Sequence, residues 1–138
     1  MRVVGEGAWT SLSVGLGHVC GVKSDNKAYC WGVNGLRQGG SGGSLFNRAP
    51  VEVIGGYRWT SMSSGYRHSC GIQVDGSGWC FGFNIYGELG NGGKGSPGAG
   101  IPDPQQVSGN HTWAIISAGL DHSCGVDTAG KAWCWGAE

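Results

Sequence analysis

Apolar and polar residues in this chain recur with the period of a strand, and no window offers a helical apolar stripe of useful length. Trp9 to Val14 reads Trp-Thr-Ser-Leu-Ser-Val, the imperfect alternation of a half-buried strand. Two short apolar runs follow, Cys20 to Lys23 and Ala28 to Trp31, on either side of Ser24-Asp25-Asn26-Lys27. The arrangement returns around Val74-Asp75-Gly76-Ser77. Asp-Gly between short apolar runs is a strong hairpin signal, because the glycine accepts the positive φ that a tight turn demands. Val51 to Ile54, after Pro50, supplies a fourth short strand per unit.

These elements belong to a repeat. Trp9, Gly15, His18, Cys20, Gly21, Cys30, Trp31 and Gly32 superpose on Trp59, Gly65, His68, Cys70, Gly71, Cys80, Phe81 and Gly82. They superpose again on Trp113, Gly119, His122, Cys124, Gly125, Cys134, Trp135 and Gly136, with identical internal spacing. Cys20 and Cys70 are 50 residues apart, and Cys70 and Cys124 are 54 apart. The four extra residues fall between Gly90 and Pro104, so Asn91 to Asp103 is predicted to be a surface loop, with Gly39 to Gly43 its shorter counterpart. Four short strands at a period near fifty predict an all-β chain of β-propeller blades. The whole of 1–138 is then one partial propeller of three blades of about four antiparallel strands, with repeats near 8–56, 57–109 and 110–138, the last incomplete.

Composition refines this picture. Gly 30 and Pro 4 in 138 residues hint at disorder, but seven Trp and the regular spacing oppose it. Formal net charge is zero, so no basic excess points to nucleic acid. No apolar stretch approaches the roughly 20 residues needed to span a bilayer as a helix. Met1 to Gly7 lacks the apolar centre of a signal peptide. Val3-Val4-Gly5 precedes Trp9 as Val53-Ile54-Gly55 precedes Trp59, so the chain is expected to start in the tail of a fourth strand and to stop after a third. It reads as a fragment of a longer propeller or as a subunit that closes by association. Two copies would then complete a six-bladed ring.

Three segments carry a family resemblance: Gly-Tyr-Arg-His-Ser-Cys-Gly at 65–71, Val-Asp-Gly at 74–76, and Trp-Cys-Phe-Gly-Phe-Asn-Ile-Tyr-Gly-Glu-Leu-Gly at 79–90. With Pro104 and Val107 following, the pattern resembles the regulator of chromosome condensation repeat family, whose full members are usually seven-bladed propellers. The cysteines make it similar to a subgroup that includes ectodomains of some plant receptor kinases. The first copy departs from the pattern, with Arg37 and Gly39 where the second has Gly87 and Leu89, which puts the shape of that loop in question.

Six cysteines allow 15 pairings in principle. A hairpin turning near residues 75 and 76 sets Cys70 against Cys80, within disulfide reach. Identical spacing extends the pairing to Cys20–Cys30 and Cys124–Cys134. Two alternatives stand beside it. His-x-Cys-x9-Cys offers three zinc ligands per copy but lacks a fourth, and structural zinc sites favour closely paired cysteines. Three pairs of free buried thiols are the other. Disulfides rank first and imply an oxidising location: extracellular, cell surface or organelle lumen. Asn110-His111-Thr112 fits the N-glycosylation sequon and agrees with that route.

A Cys–His pair used three times is architecture rather than a nucleophile, and Asp121-His122-Ser123 is no triad, since triad members meet in space. His18, His68 and His122 are therefore expected to form structural hydrogen bonds within their blades. Trp9, Trp59 and Trp113 are expected in the core, and Trp79 and Trp133 at a packing site shared with Tyr29. No catalytic, metal or cofactor site is expected. The reading is a non-catalytic protein-interaction or structural module of a secreted, surface or luminal assembly. Its partner is a protein or a second copy, contacted through Gly39–Asn47 and Asn91–Asp103. Carbohydrate or small-ligand binding on Tyr57 and Tyr86 is one alternative; exchange activity on a small GTPase, which the resemblance suggests, is another.

Overall fold

The computed structural model describes residues 2–3, 5–93 and 100–137. It is all-β, with no helix among the described residues. Blade 1 comprises β1 (Trp9–Val14), β2 (His18–Lys23), β3 (Ala28–Val33) and β4 (Phe46–Glu52). Blade 2 comprises β5 (Trp59–Ser64), β6 (His68–Gln73), β7 (Gly78–Gly82) and β8 (Ile101–Gln106). Blade 3 contributes β9 (Trp113–Ala118), β10 (His122–Asp127) and β11 (Ala132–Gly136). Each blade is an antiparallel meander in chain order. This is the architecture of a partial β-propeller.

Local chemistry sets the hairpins between the second and third strands. The turns end at Asn26 (φ 67°), Gly76 (φ 87°) and Gly130 (φ 88°), a left-handed position that Gly and Asn accept most readily. Asp25 and Asp75 secure theirs by accepting from the backbone N–H of Lys27 and Ser77, each at 3.0 Å. These turns place Cys20 opposite Cys30, Cys70 opposite Cys80 and Cys124 opposite Cys134.

The fourth strand differs from expectation. It spans Phe46–Glu52 rather than Val51–Ile54. Gly32 pairs with Asn47 and Cys30 with Val51, so Arg48, Ala49 and Pro50 bulge opposite Trp31 alone. Pro102, Asp103 and Pro104 bulge opposite Phe81 in the same way. Proline donates no N–H, and β4 and β8 are edge strands of their sheets, where that loss is tolerated. The loop expected over Asn91 to Asp103 is correspondingly shorter, because Ile101 to Asp103 lie in β8; residues 94–99 are outside the described residues. Its counterpart is only partly at the surface, since Gly39, Gly40 and Ser41 are buried and exposure begins at Gly42. Val4, part of the expected N-terminal strand tail, also lies outside the described residues.

The core sits between blades rather than within them. Cys20, Val22, Ala28, Cys30 and Val53 of blade 1 pack on Trp59, Met62 and Phe81 of blade 2. Cys70, Ile72, Cys80, Leu89 and Val107 of blade 2 pack on Trp113 and Ile116 of blade 3, with Trp135 partly buried beside them. Blades 1 and 2 thus each bury a disulfide face against the aromatic face of the next blade. Trp59 and Trp113 are 0% and 4% exposed because each packs on the blade before it, whereas Trp9 is only partly buried. Trp133, expected at a packing site, is 42% exposed. It packs at a tilt against His111 (centroids 4.5 Å apart) and donates its indole N–H to Asp127 at 2.9 Å.

Candidate functional site

The structure contains the three predicted disulfides, Cys20–Cys30, Cys70–Cys80 and Cys124–Cys134, and no cysteine is free. The sulfurs are consumed in these bonds, so neither the zinc reading nor the free-thiol reading applies.

The sequence suggested histidine bonds within each blade; His18 and His68 instead reach across to the next. His18 Nε2 lies 2.6 Å from Ser69 Oγ, and His68 Nε2 lies 2.7 Å from Ser123 Oγ. The serine hydroxyls donate in turn to backbone carbonyls of the preceding blade, Ser69 to Gln38 at 2.6 Å and Ser123 to Glu88 at 3.0 Å. Each hydroxyl hydrogen being used, the serine accepts from the imidazole, which assigns the Nε2–H tautomer. Burial lowers the His18 pKa to about 4. His68 is likewise lowered to about 4, chiefly by burial, with the charges of His18 and His122 adding to the effect. Both imidazoles are therefore neutral at pH 7. His122 is exposed.

The loop after the third strand delivers those carbonyls. Asn34 Oδ1 accepts from Gly39 N and Asn84 Oδ1 from Leu89 N, both at 3.0 Å. Gln38 and Glu88 fold their side chains back onto the N–H groups of Leu36 and Tyr86, each at 2.9 Å. The departure of the first copy does not alter the loop: Arg37 (φ 62°) adopts the left-handed conformation that Gly87 (φ 88°) adopts in the second. Burial raises the Glu88 pKa, with the charge of Asp121 adding to the rise and Arg67 opposing it.

A second feature lies on the turns joining first and second strands. Gly15, Gly65 and Gly119 donate to the carbonyls of His18, His68 and His122 at 2.8, 2.9 and 2.8 Å, making the same tight turn three times. Leu16 N–H then reaches Gly65 O at 3.4 Å and Tyr66 N–H reaches Gly119 O at 3.1 Å, fixing the turns side by side. Their next residues form an exposed apolar row: Leu16 is 67%, Tyr66 40% and Leu120 55% exposed, with Val14 at 75% beside them. Val14, Ser64, Ala118 and the three turns line one shallow groove. Arg67 lies 4.8 Å over the Tyr66 ring and 5.2 Å over Phe83, and Phe83 meets Tyr86 edge-on at 6.3 Å. An aromatic–Arg cluster therefore flanks the row.

Sequence reasoning missed this row, although the signal was present: an apolar residue follows the turn glycine in all three copies. Of the contact segments it favoured, the described exposed portion centres on Leu45 (62%) and Phe46 (58%). Of the two tyrosines weighed for carbohydrate, Tyr86 is 50% exposed. Tyr57 is instead a packing residue, stacked on Trp79 with centroids 5.3 Å apart. Asn110 is exposed, at φ 54°, in the turn between β8 and β9.

No curated protein sequence matches the chain. The family model of the Regulator of chromosome condensation (RCC1) repeat matches residues 9–38 and 113–138. Yeast RCC1 (Prp20), solved bound to Kap60, superposes on 93% of this chain with a TM-score of 0.78 at 22% identity. Human WBSCR16 superposes on 96% with a TM-score of 0.85 at 15% identity. The ectodomain of the Physcomitrella patens receptor kinase CR4 superposes on 96% with a TM-score of 0.61 at 23% identity. The chain spans about one third of each: 32%, 34% and 31% of their lengths. Matched segments and shared fold agree: the first and third blades match the RCC1 repeat, and the chain has the fold of a partial β-propeller whose three blades are each stapled by a disulfide.

Proposed function

We propose that the chain is a non-catalytic protein-interaction module that engages a protein partner through the apolar row Val14, Leu16, Tyr66 and Leu120, with Arg67 and Tyr86 as polar and aromatic anchors. The carrying observation is the row itself. Four large apolar side chains stay exposed in register on a rigid three-blade frame, and contiguous apolar exposure marks interaction surfaces. Tyr and Arg are the residue types that dominate binding energy at interfaces. The RCC1-repeat fold mediates protein interaction, and yeast Prp20 is solved with Kap60 and characterised for binding to Gsp1p and histones. Three disulfides and the exposed Asn110 sequon support an oxidising compartment, with Asn110 glycosylated.

Photo-crosslinking from position 14, which lies in the row and is left unchanged in the variants, tests the reading in a cell extract. The triple variant Leu16→Glu, Tyr66→Glu, Leu120→Glu should keep its disulfides and circular dichroism and lose the cross-linked partner. The control Leu45→Glu, Phe46→Glu should keep it. The reverse pattern would refute the surface.

A further inference from the structure

Asn-Gly occurs twice in the chain, at Asn34-Gly35 and Asn91-Gly92. The pair is chemically labile, because a glycine nitrogen approaches the preceding side-chain amide with no Cβ in the way. Local structure then decides whether the amide reacts.

The fold treats the two sites differently. Asn34 is 0% exposed. Its Nδ2 donates to Ser41 O, Ser41 Oγ and Ser44 O at 3.1, 3.1 and 2.9 Å, and its Oδ1 accepts from Gly39 N at 3.0 Å. That amide is clamped and shielded from water. Asn91 is half-buried, and the next two residues, Gly92 and Gly93, are exposed. Among the described residues its Nδ2 donates only to Gln105 Oε1, at 3.2 Å. Its Oδ1 accepts from Gly93 N–H at 3.0 Å. This Asx turn wraps the side chain around Gly92, and it gives Oδ1 a donor where negative charge develops during attack on Cγ. Gly92 has a φ of 88°, and a Cβ there would meet nothing nearer than Ser108 Oγ at 3.7 Å, so its nitrogen is uncrowded.

We infer that Asn91 is a self-modification site, which the folded chain converts to aspartate and isoaspartate with water as co-reactant. Gly92 N gives up its proton to solvent and adds to Asn91 Cγ. As that C–N bond forms, the Cγ–Nδ2 bond breaks, and Nδ2 takes up a proton and leaves as ammonia. A cyclic imide remains. Water opens it at Cγ to give aspartate, or at the Asn91 main-chain carbonyl to give isoaspartate. Nothing is oxidised or reduced, and the sum is asparagine plus water to the acid plus ammonia. Each conversion adds one negative charge to a chain of zero formal net charge and removes the donor that holds Gln105. The isoaspartyl form also inserts a methylene into the main chain of the loop that leads to β8.

Incubation at mildly alkaline pH, followed by peptide mapping under mass spectrometry, reads the amide-to-acid mass change at both sites. Chromatography separates the isoaspartyl from the aspartyl peptide. The reduced chain unfolded in guanidinium chloride is the reference, since both Asn-Gly pairs are free there. In the folded, unreduced chain Asn34 must break three donor bonds against one at Asn91, which should set Asn34 about 5- to 150-fold behind. Asn91→Gln moves the carbonyl carbon away from the Gly92 nitrogen and should stay an amide over the same period. A folded-chain ratio below about 5 overturns the inference, as does folding that slows Asn91 as strongly as Asn34. The readout is indifferent to the apolar row, so the two proposals fail separately.

Discussion

Lowering the pH from 7 to 4 charges two imidazoles that the blade junctions hold neutral. His18 and His68 are depressed from the ordinary 6.5 to about 4, first by burial. Between these limits the unfolded chain binds the protons more readily than the folded one, so stability falls as pH falls; below about pH 4 this contribution is exhausted. A displacement of this size is worth about 3 kcal/mol per histidine, and the pair together about 6 kcal/mol. That rivals the whole stability of an ordinary domain, about 5–15 kcal/mol. Glu88 works the other way: its carboxyl is raised above 4.5, so its contribution is present at low pH and lost as pH rises through its folded pKa, which reduces the net slope. Asp75 is lowered below 3.8, mainly by its bond from Ser77, and Asp127 mainly by its bond from Trp133; both act below the histidine window. Urea unfolding of the unreduced chain at half-unit steps, followed by tryptophan fluorescence, should show the loss concentrated between pH 6.5 and 4. His18→Gln keeps a donor for Ser69 without the titration, and should halve the loss. A flat profile across that window, or an undiminished slope in the His18→Gln, His68→Gln variant, would refute the reasoning.

Four further outcomes are expected. Replacing Cys70 and Cys80 by Ala should cost about 3 kcal/mol from the lost loop constraint, measured by urea unfolding. Under limiting dithiothreitol, Cys124–Cys134 should reduce first by mass spectrometry, because Cys134 is exposed while the other two bridges are 0–1% exposed. A Cβ at Gly65 would overlap the Gly119 carbonyl oxygen, whereas one at Gly119 approaches nothing nearer than 3.2 Å, so Gly65→Ala should destabilise by about 1–3 kcal/mol and Gly119→Ala by much less in the same assay. Expression through a glycosylating secretory pathway should add glycan mass that Asn110→Gln removes.

The sequence revealed what is periodic and local. Spacing alone gave three hairpins, and with them the cysteine pairs, because turn length fixes which residues face each other. The fourth strand was misplaced because Pro50 and Pro104 look like strand starts; only the bulge against Trp31 and Phe81 shows that an edge strand runs through them. The histidine bonds stayed hidden for a different reason. His18 and Ser69 are 51 residues apart and belong to different repeats, so nothing within one repeat advertises the pair. The visible clue was a difference between copies: Ser follows His68 and His122, while Val follows His18.

The His–Ser–carbonyl arrangement also orders events in time. Two of its members, His18 and the Gln38 carbonyl, belong to blade 1, but the hydroxyl joining them arrives with Ser69. On a ribosome adding about 5–20 residues per second, the Cys20–Cys30 face therefore stays uncovered for about 2–8 s before Ser69 is made. That hairpin closes over only 10 residues and needs nothing downstream, so an oxidant can lock it during the wait. The local crosslink holds each blade's register until its successor arrives to bury it, so a nascent chain of these repeats is protected by chemistry before it is protected by packing.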